Sequence, residues 1–168
     1  MNRRRIAAVI VVAPALGMAV PVVPSVIAQE AEACTTWTVG MVEDEGGEVL
    51  AAQACSIDQP DAWLVLNCFW GSVFVRYDLG MGAESLPPLG EVTDVTFSTG
   101  SDAVTLSMSY QEMDGMHVAD AGVDDPLVHL LKAGDTVTIS DVPGRYLVKS
   151  FSLEGSAAAI GKLVADCD

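Results

Sequence analysis

The sequence predicts a mainly β fold: an antiparallel β-sandwich or partly open barrel carrying two small helices. Three observations predict it. Apolar residues recur at every second position in short runs, Gly, Pro and Asp punctuate those runs, and only two stretches carry helical spacing. A length of 168 residues leaves room for one domain once a leader is set aside.

The leader comes first. Met1-Asn2-Arg3-Arg4-Arg5 is a basic start, and the run from Ile6 to Ala28 has no charged residue. A positive start, an apolar stretch and small residues before a cut site define a secretory signal peptide. Residues 1–28 are therefore expected to be the signal, cleaved after Ala28. Pro14, Pro21 and Pro24 would each remove a helix hydrogen bond, which argues against a membrane anchor. Residues 29–168 then form a single disulfide-bonded β-rich domain, periplasmic or secreted.

Along that domain, Trp37, Val39 and Met41 alternate with Thr36, Thr38 and Gly40 in a first strand, broken by the acidic run from Glu43 to Gly47. Strands follow over Val49–Ile57 and Ala62–Trp70, joined by a turn at Asp58-Gln59-Pro60-Asp61. Gly71 leads into Ser72–Asp78, where Val73, Val75 and Tyr77 share a face. Leu79–Glu91, rich in Gly and Pro, reads as a surface loop. Val92–Thr99 and Asp102–Tyr110 flank Gly100-Ser101, a hairpin signal. Thr136–Ser140 and Tyr146–Leu153 are the last two strands.

The helices stand near 125–133 and near 156–166. In the first, Asp125 precedes Pro126, Leu127, Leu130 and Leu131 recur, and Gly134 stops the run. In the second, Ser156 is placed to cap, and Ile160, Leu163, Val164 and Cys167 recur at helical spacing.

Charge narrows the partners. The chain has 8 Lys+Arg against 23 Asp+Glu; without the leader five basic residues remain, a net of −18. Nucleic acid needs clustered cations and is excluded as a partner. Anionic lipid is disfavoured too, and no stable membrane insertion is expected after cleavage. The acidic runs Glu43–Glu48 and Asp120–Asp125 lack the spaced carboxylates of a calcium loop.

Four cysteines, Cys34, Cys55, Cys68 and Cys167, imply two disulfides in an oxidising compartment. Their spacing matches no zinc pattern. Cys55 and Cys68 flank one turn, and Cys34 and Cys167 stand near the two ends of the domain. The expected pairing is Cys34–Cys167 with Cys55–Cys68; Cys34–Cys55 with Cys68–Cys167 is the second choice.

Catalytic constellations are missing from the sequence: two histidines, His117 and His129, and no nucleophile elbow, phosphate loop or dinucleotide fingerprint. His129, one residue off the leucine stripe, is expected to be exposed. The expectation is a protein that is not an enzyme and takes no cofactor. One segment has metal-ligand chemistry: Met113, Met116 and His117 combine thioethers with an imidazole, which suits Cu(I). A soluble periplasmic copper-binding protein is thus the alternative function. Met108 is assigned to the core. Trp63, Phe69 and Trp70 read as core packing around a disulfide rather than a ligand platform.

The C-terminal third runs Asp125-Pro126-Leu127, Leu130-Leu131, Gly134-Asp135-Thr136-Val137, Phe151-Ser152-Leu153-Glu154-Gly155-Ser156, Ala159-Ile160, Leu163 and Cys167. This resembles the ending of small exported proteobacterial proteins of the VasI/TagO type VI secretion-associated family or the invasion-associated locus B family. Trp37-Thr38-Val39 and Leu64-Val65-Leu66-Asn67-Cys68 resemble their early strands. The resemblance implies a non-enzymatic envelope or secretion accessory acting on an envelope or secretion-system protein, with no catalytic residues to carry over.

Overall fold

The computed structural model describes residues 34–44, 46–78, 87–88, 90–141 and 148–167. The leader, most of the 79–91 loop and the Asp141–Gly144 turn beyond Asp141 lie outside the described residues. Among the described residues nine strands and two helices follow in order: β1 (Thr38–Asp44), β2 (Gly47–Cys55), β3 (Trp63–Phe69), β4 (Ser72–Asp78), β5 (Val92–Ser98), β6 (Ala103–Gln111), β7 (Met116–Asp120), α1 (Pro126–Leu131), β8 (Thr136–Asp141), β9 (Lys149–Ser152) and α2 (Ser156–Ala165).

All nine strands join one antiparallel sheet in the order β1-β2-β3-β4-β7-β6-β5-β8-β9. The sheet curls into a half-barrel, so the mainly β expectation holds as a partly open barrel. Curling buries residues on every strand but β1, whose residues are all at least partly exposed. On β4, Val73, Val75 and Tyr77 point inward, as the alternation predicts, and meet Leu64, Leu66 and Cys68 of β3 across the ladder. Phe97, Met108, Tyr110, Ile139 and Phe151 complete the interior. The two helices add Leu127, Leu131, Ile160 and Leu163 to the same cluster.

The sheet's two edges approach each other. Trp37, just before β1, donates its backbone N–H to Glu154 O at 3.1 Å and its indole Nε1–H to Ser152 O at 2.7 Å. Past the end of β2, Ile57 N donates to Ser150 O at 2.8 Å, and Ser150 N donates to Asp58 Oδ2 at 2.9 Å. Edge strands carry unpaired backbone groups, and these bonds cover part of both edges. Gly155 makes the turn into α2 beside this seam: its φ is +81°, a backbone that favours glycine.

Several sequence expectations change. β7 is absent from the sequence expectation, in which residues 113–117 carry metal-ligand chemistry. The segment pairs with both β4 and β6 and closes the middle of the sheet. β1 runs on through Glu43 and Asp44, pairing Asp44 with Gly47, so the acidic run ends a hairpin rather than breaking a strand. Helix α1 is as expected: Asp125 Oδ1 accepts from Leu127 N at 2.8 Å, with Pro126 in the first turn. Ser156 is not the cap of α2. It is the first helical residue, buried, and its hydroxyl donates to Leu153 O at 2.8 Å, while Gly155 holds the cap position.

The disulfides pair Cys34 with Cys55 and Cys68 with Cys167, correcting the expected connectivity in favour of the second choice. Register explains the correction. In the β2–β3 ladder Cys55 faces Trp63, so Cys68 lies five residues farther along β3. At about 3.4 Å per residue that is ~17 Å, beyond any disulfide. Cys34 enters β1 beside the end of β2, and α2 packs on β1, β2 and β3, carrying Cys167 to β3.

Candidate binding groove beside the β3–β4 hairpin

The Cys68–Cys167 bond stands next to the most exposed aromatic cluster described. β3 and β4 are joined by Trp70-Gly71, with Phe69 facing Ser72 across the ladder. Both turn residues have left-handed backbones, φ 51° and 76°. This is the pattern of a two-residue primed turn, which favours Asn-Gly and costs a bulky residue about 1–2 kcal/mol. Trp70 is nonetheless there, and its side chain is 88% exposed. Phe69 packs beside it, ring centres 4.3 Å apart, and Phe74 meets Phe69 edge-on at 6.4 Å. The expectation of core packing is overturned for Phe69 and Trp70. Trp37 is instead the buried tryptophan.

A groove of about 670 Å³ opens from this cluster across the outer face of the sheet. Its floor comes from alternate positions of β3 and β4 that face away from the core: Asn67, Phe74 and Arg76. The β1–β2 hairpin brings Asp44 and Glu48 to one wall, and the β6–β7 turn brings Asp114 to the other. Asp166, following α2, lines the groove as well.

Arg76 ties the walls together. Its Nη1 bonds Asp44 Oδ2 at 3.0 Å, and its Nη2 bonds Asp114 Oδ2 at 2.5 Å. Both partners are three-quarters or more buried, so these pairs are screened less than surface ion pairs. Asn67 is 7% exposed, and its side-chain oxygen has no hydrogen-bond partner among the described residues. An unsatisfied buried acceptor is costly, and native structures seldom leave one.

A second polar row lies inside the barrel. His117 of β7 faces Tyr77 of β4 on one side and Tyr110 of β6 on the other. Lys149 Nζ sits 5.4 Å from the centre of the Tyr77 ring. Burial, helped by Asp141 and Asp78, holds the Tyr77 phenol well above its ordinary range. Burial also raises the Tyr110 phenol and lowers the Lys149 ammonium, the latter against the pull of Asp78 and Asp61. None of these four side chains lines the groove.

The copper-ligand segment is not brought together. Met113 is in the β6–β7 turn, 84% exposed. Met116 and His117 are consecutive strand residues, and the pleat turns them to opposite faces; His117 is fully buried. No cluster of three His, Cys, Asp or Glu able to hold a metal occurs among the described residues. His129 is exposed, as expected. Sequence reasoning missed Asn67, Phe74, Arg76, Asp44, Asp114 and Asp166 as a group. The one local signal was a large aromatic at a turn position that favours Asn, directly before Gly71.

Two disulfides fit an oxidising, exported compartment. Among the described residues no helix is long and apolar enough to cross a membrane. The fold and groove define a disulfide-bonded half-barrel with an aromatic-edged cleft on its outer face. No protein-family model, curated protein or solved structure gives a significant match to this chain.

Proposed function

We propose that this protein is an exported, non-enzymatic binding module, periplasmic or secreted, which holds a partner protein of the envelope or of a secretion system against the β3–β4 hairpin. The observation that carries the reading is Trp70, displayed at 88% exposure on a turn whose backbone disfavours it. Interface anchors are typically Trp, Tyr and Arg, and exposed aromatic clusters on soluble domains mark contact surfaces. Leaving such a ring exposed to water forgoes the stability that burying it would bring, so a function is the natural reason to keep it there. The basic start and apolar leader support export. The resemblance of the C-terminal third to the VasI/TagO and invasion-associated locus B families supports an envelope accessory role.

The test is photo-crosslinking in the native host. A photoreactive residue at position 70 or 69 is expected to capture one discrete protein, while the same probe at the exposed Val92 captures none. Equal labelling from all three positions would remove the assignment. So would turnover of a glycan or ester by the purified protein.

A further inference from the structure

The charge inside the groove names the chemistry of its occupant. Among the described residues Arg76 is the one cation lining it, and both of its terminal nitrogens are engaged, one by Asp44 and one by Asp114. One guanidinium between two carboxylates leaves that trio with a net charge of −1. Glu48 and Asp166 line the same groove and add two more carboxylates. An anion would meet repulsion and, among the described residues, no available cation. A cation would meet carboxylates, the faces of exposed aromatic rings and the unsatisfied oxygen of Asn67 on the floor.

These requirements converge on a lysine or arginine side chain. Its ammonium or guanidinium pairs with carboxylate, donates to an amide oxygen and sits over an aromatic face, and its aliphatic stem packs on apolar surface. The volume, about 670 Å³, falls in the range of ligand clefts and exceeds what one small cation would fill. Net charge acts in the same direction at long range, since a strongly acidic protein speeds encounter with a basic partner.

We infer that the groove between the β1–β2 hairpin, the β6–β7 turn and Asp166 is a docking site for a lysine- or arginine-bearing segment of a partner protein, the basic side chain entering between Trp70 and the carboxylates. This deepens the proposed function and rests on it for the identity of the occupant as a protein segment. Trp70 and Phe69 anchor the segment at the rim, Asp166 and Glu48 take its charge, and Asn67 accepts its hydrogen bond. Arg76 is the positioning residue that holds the two walls at their separation.

The experiment is an NMR titration of the purified, disulfide-bonded protein. The probe is a short acetylated peptide alternating glycine with lysine; the controls are the same peptide with glutamate for lysine, and tetramethylammonium. The lysine peptide is expected to shift the Trp70 indole and Asn67 amide resonances saturably, with affinity falling as salt rises. Trp70→Asn and Asp166→Asn, both at exposed positions, should each weaken it about tenfold. No saturable shift, equal binding of the glutamate peptide, or tetramethylammonium binding as tightly as the peptide would overturn the inference, the last by showing a small-cation site. The two readings fail separately. A partner crosslinked at position 70 with no peptide response defeats the basic-segment inference alone; a peptide response with no crosslinked partner defeats the proposed function.

Discussion

The indole nitrogen of Trp37 donates to the carbonyl oxygen of Ser152 at 2.7 Å, joining residues 115 positions apart. The bond belongs to a seam at which the start of β1 meets the end of β9, together with Trp37 N to Glu154 O. Trp37→Phe keeps most of the buried ring and deletes the donor. It is expected to cost about 1–3 kcal/mol, and Trp37→Ala about 3–5 kcal/mol, as read by urea denaturation. A Trp37→Phe variant as stable as the parent, beside a large loss for Trp37→Ala, would show that packing alone makes the seam.

Connectivity sets the relative worth of the two disulfides. Cys34–Cys55 spans a sequence separation of 21 and Cys68–Cys167 one of 99. In the chain-entropy model these contribute about 3.4 and about 4.7 kcal/mol. Replacing Cys68 and Cys167 together by Ser should therefore cost roughly 1 kcal/mol more than replacing Cys34 and Cys55, and should free the end of α2 first. Non-reducing peptide mapping is expected to recover Cys34–Cys55. A Cys55–Cys68 peptide would contradict the register described above.

Trp70→Asn separates stability from binding. Asn suits the left-handed turn that Trp70 occupies at φ 51°. The variant should gain about 0.5–1 kcal/mol of stability and a higher Tm, while losing the crosslinked partner. A destabilised Trp70→Asn would mean that the ring supports the hairpin.

Arg76→Met leaves Asp44 and Asp114 facing each other without their shared cation. Discounted for partial exposure, the loss should be about 1–2 kcal/mol at low salt and smaller at high salt. Asp44→Asn in the Arg76→Met background should recover part of it. A double-mutant cycle in urea measures the coupling; zero coupling would show that the pair contributes nothing.

Alkaline pH should produce a rise and then a fall in stability. Burial lowers the Lys149 ammonium below 10.5, so the unfolded chain binds the extra proton and stability climbs as pH approaches that value. Burial raises the Tyr77 and Tyr110 phenols above 10.0, so their contribution is complete below that pH and is lost as pH rises beyond it. Lys149→Met should abolish the climb and keep the fall. Phenolate absorbance that appears for all three tyrosines before unfolding would refute the burial argument.

Much of the fold was legible because its signals are local. Val73, Val75 and Tyr77 alternate, and the curled sheet buries them. Asp125, Pro126 and Gly134 bracket α1 through hydrogen bonds and backbone angles that neighbouring residues supply. β7 escaped because five residues carry too few alternations to outweigh the chemistry suggested by Met116 and His117. Ser156 misled because cap chemistry depends on where the preceding backbone turns, and Gly155 takes that turn.

The sequence by itself determined a mainly β chain with two short helices, four cysteines with an oxidising destination, and a strongly acidic surface. Each is a property of composition or of residues within a few positions of one another. Tertiary structure alone decided which cysteines meet, because ladder register moves Cys68 away from Cys55 and α2 delivers Cys167 to β3. It also decided that Trp70 faces water while Trp37 is buried, since a hairpin tip and a barrel seam differ only in what the distant chain brings. The groove belongs to the same class. Asp44, Asn67, Arg76, Asp114 and Asp166 come from different strands, a turn and a helix end, and only the curl of one sheet brings them to the lining of one groove.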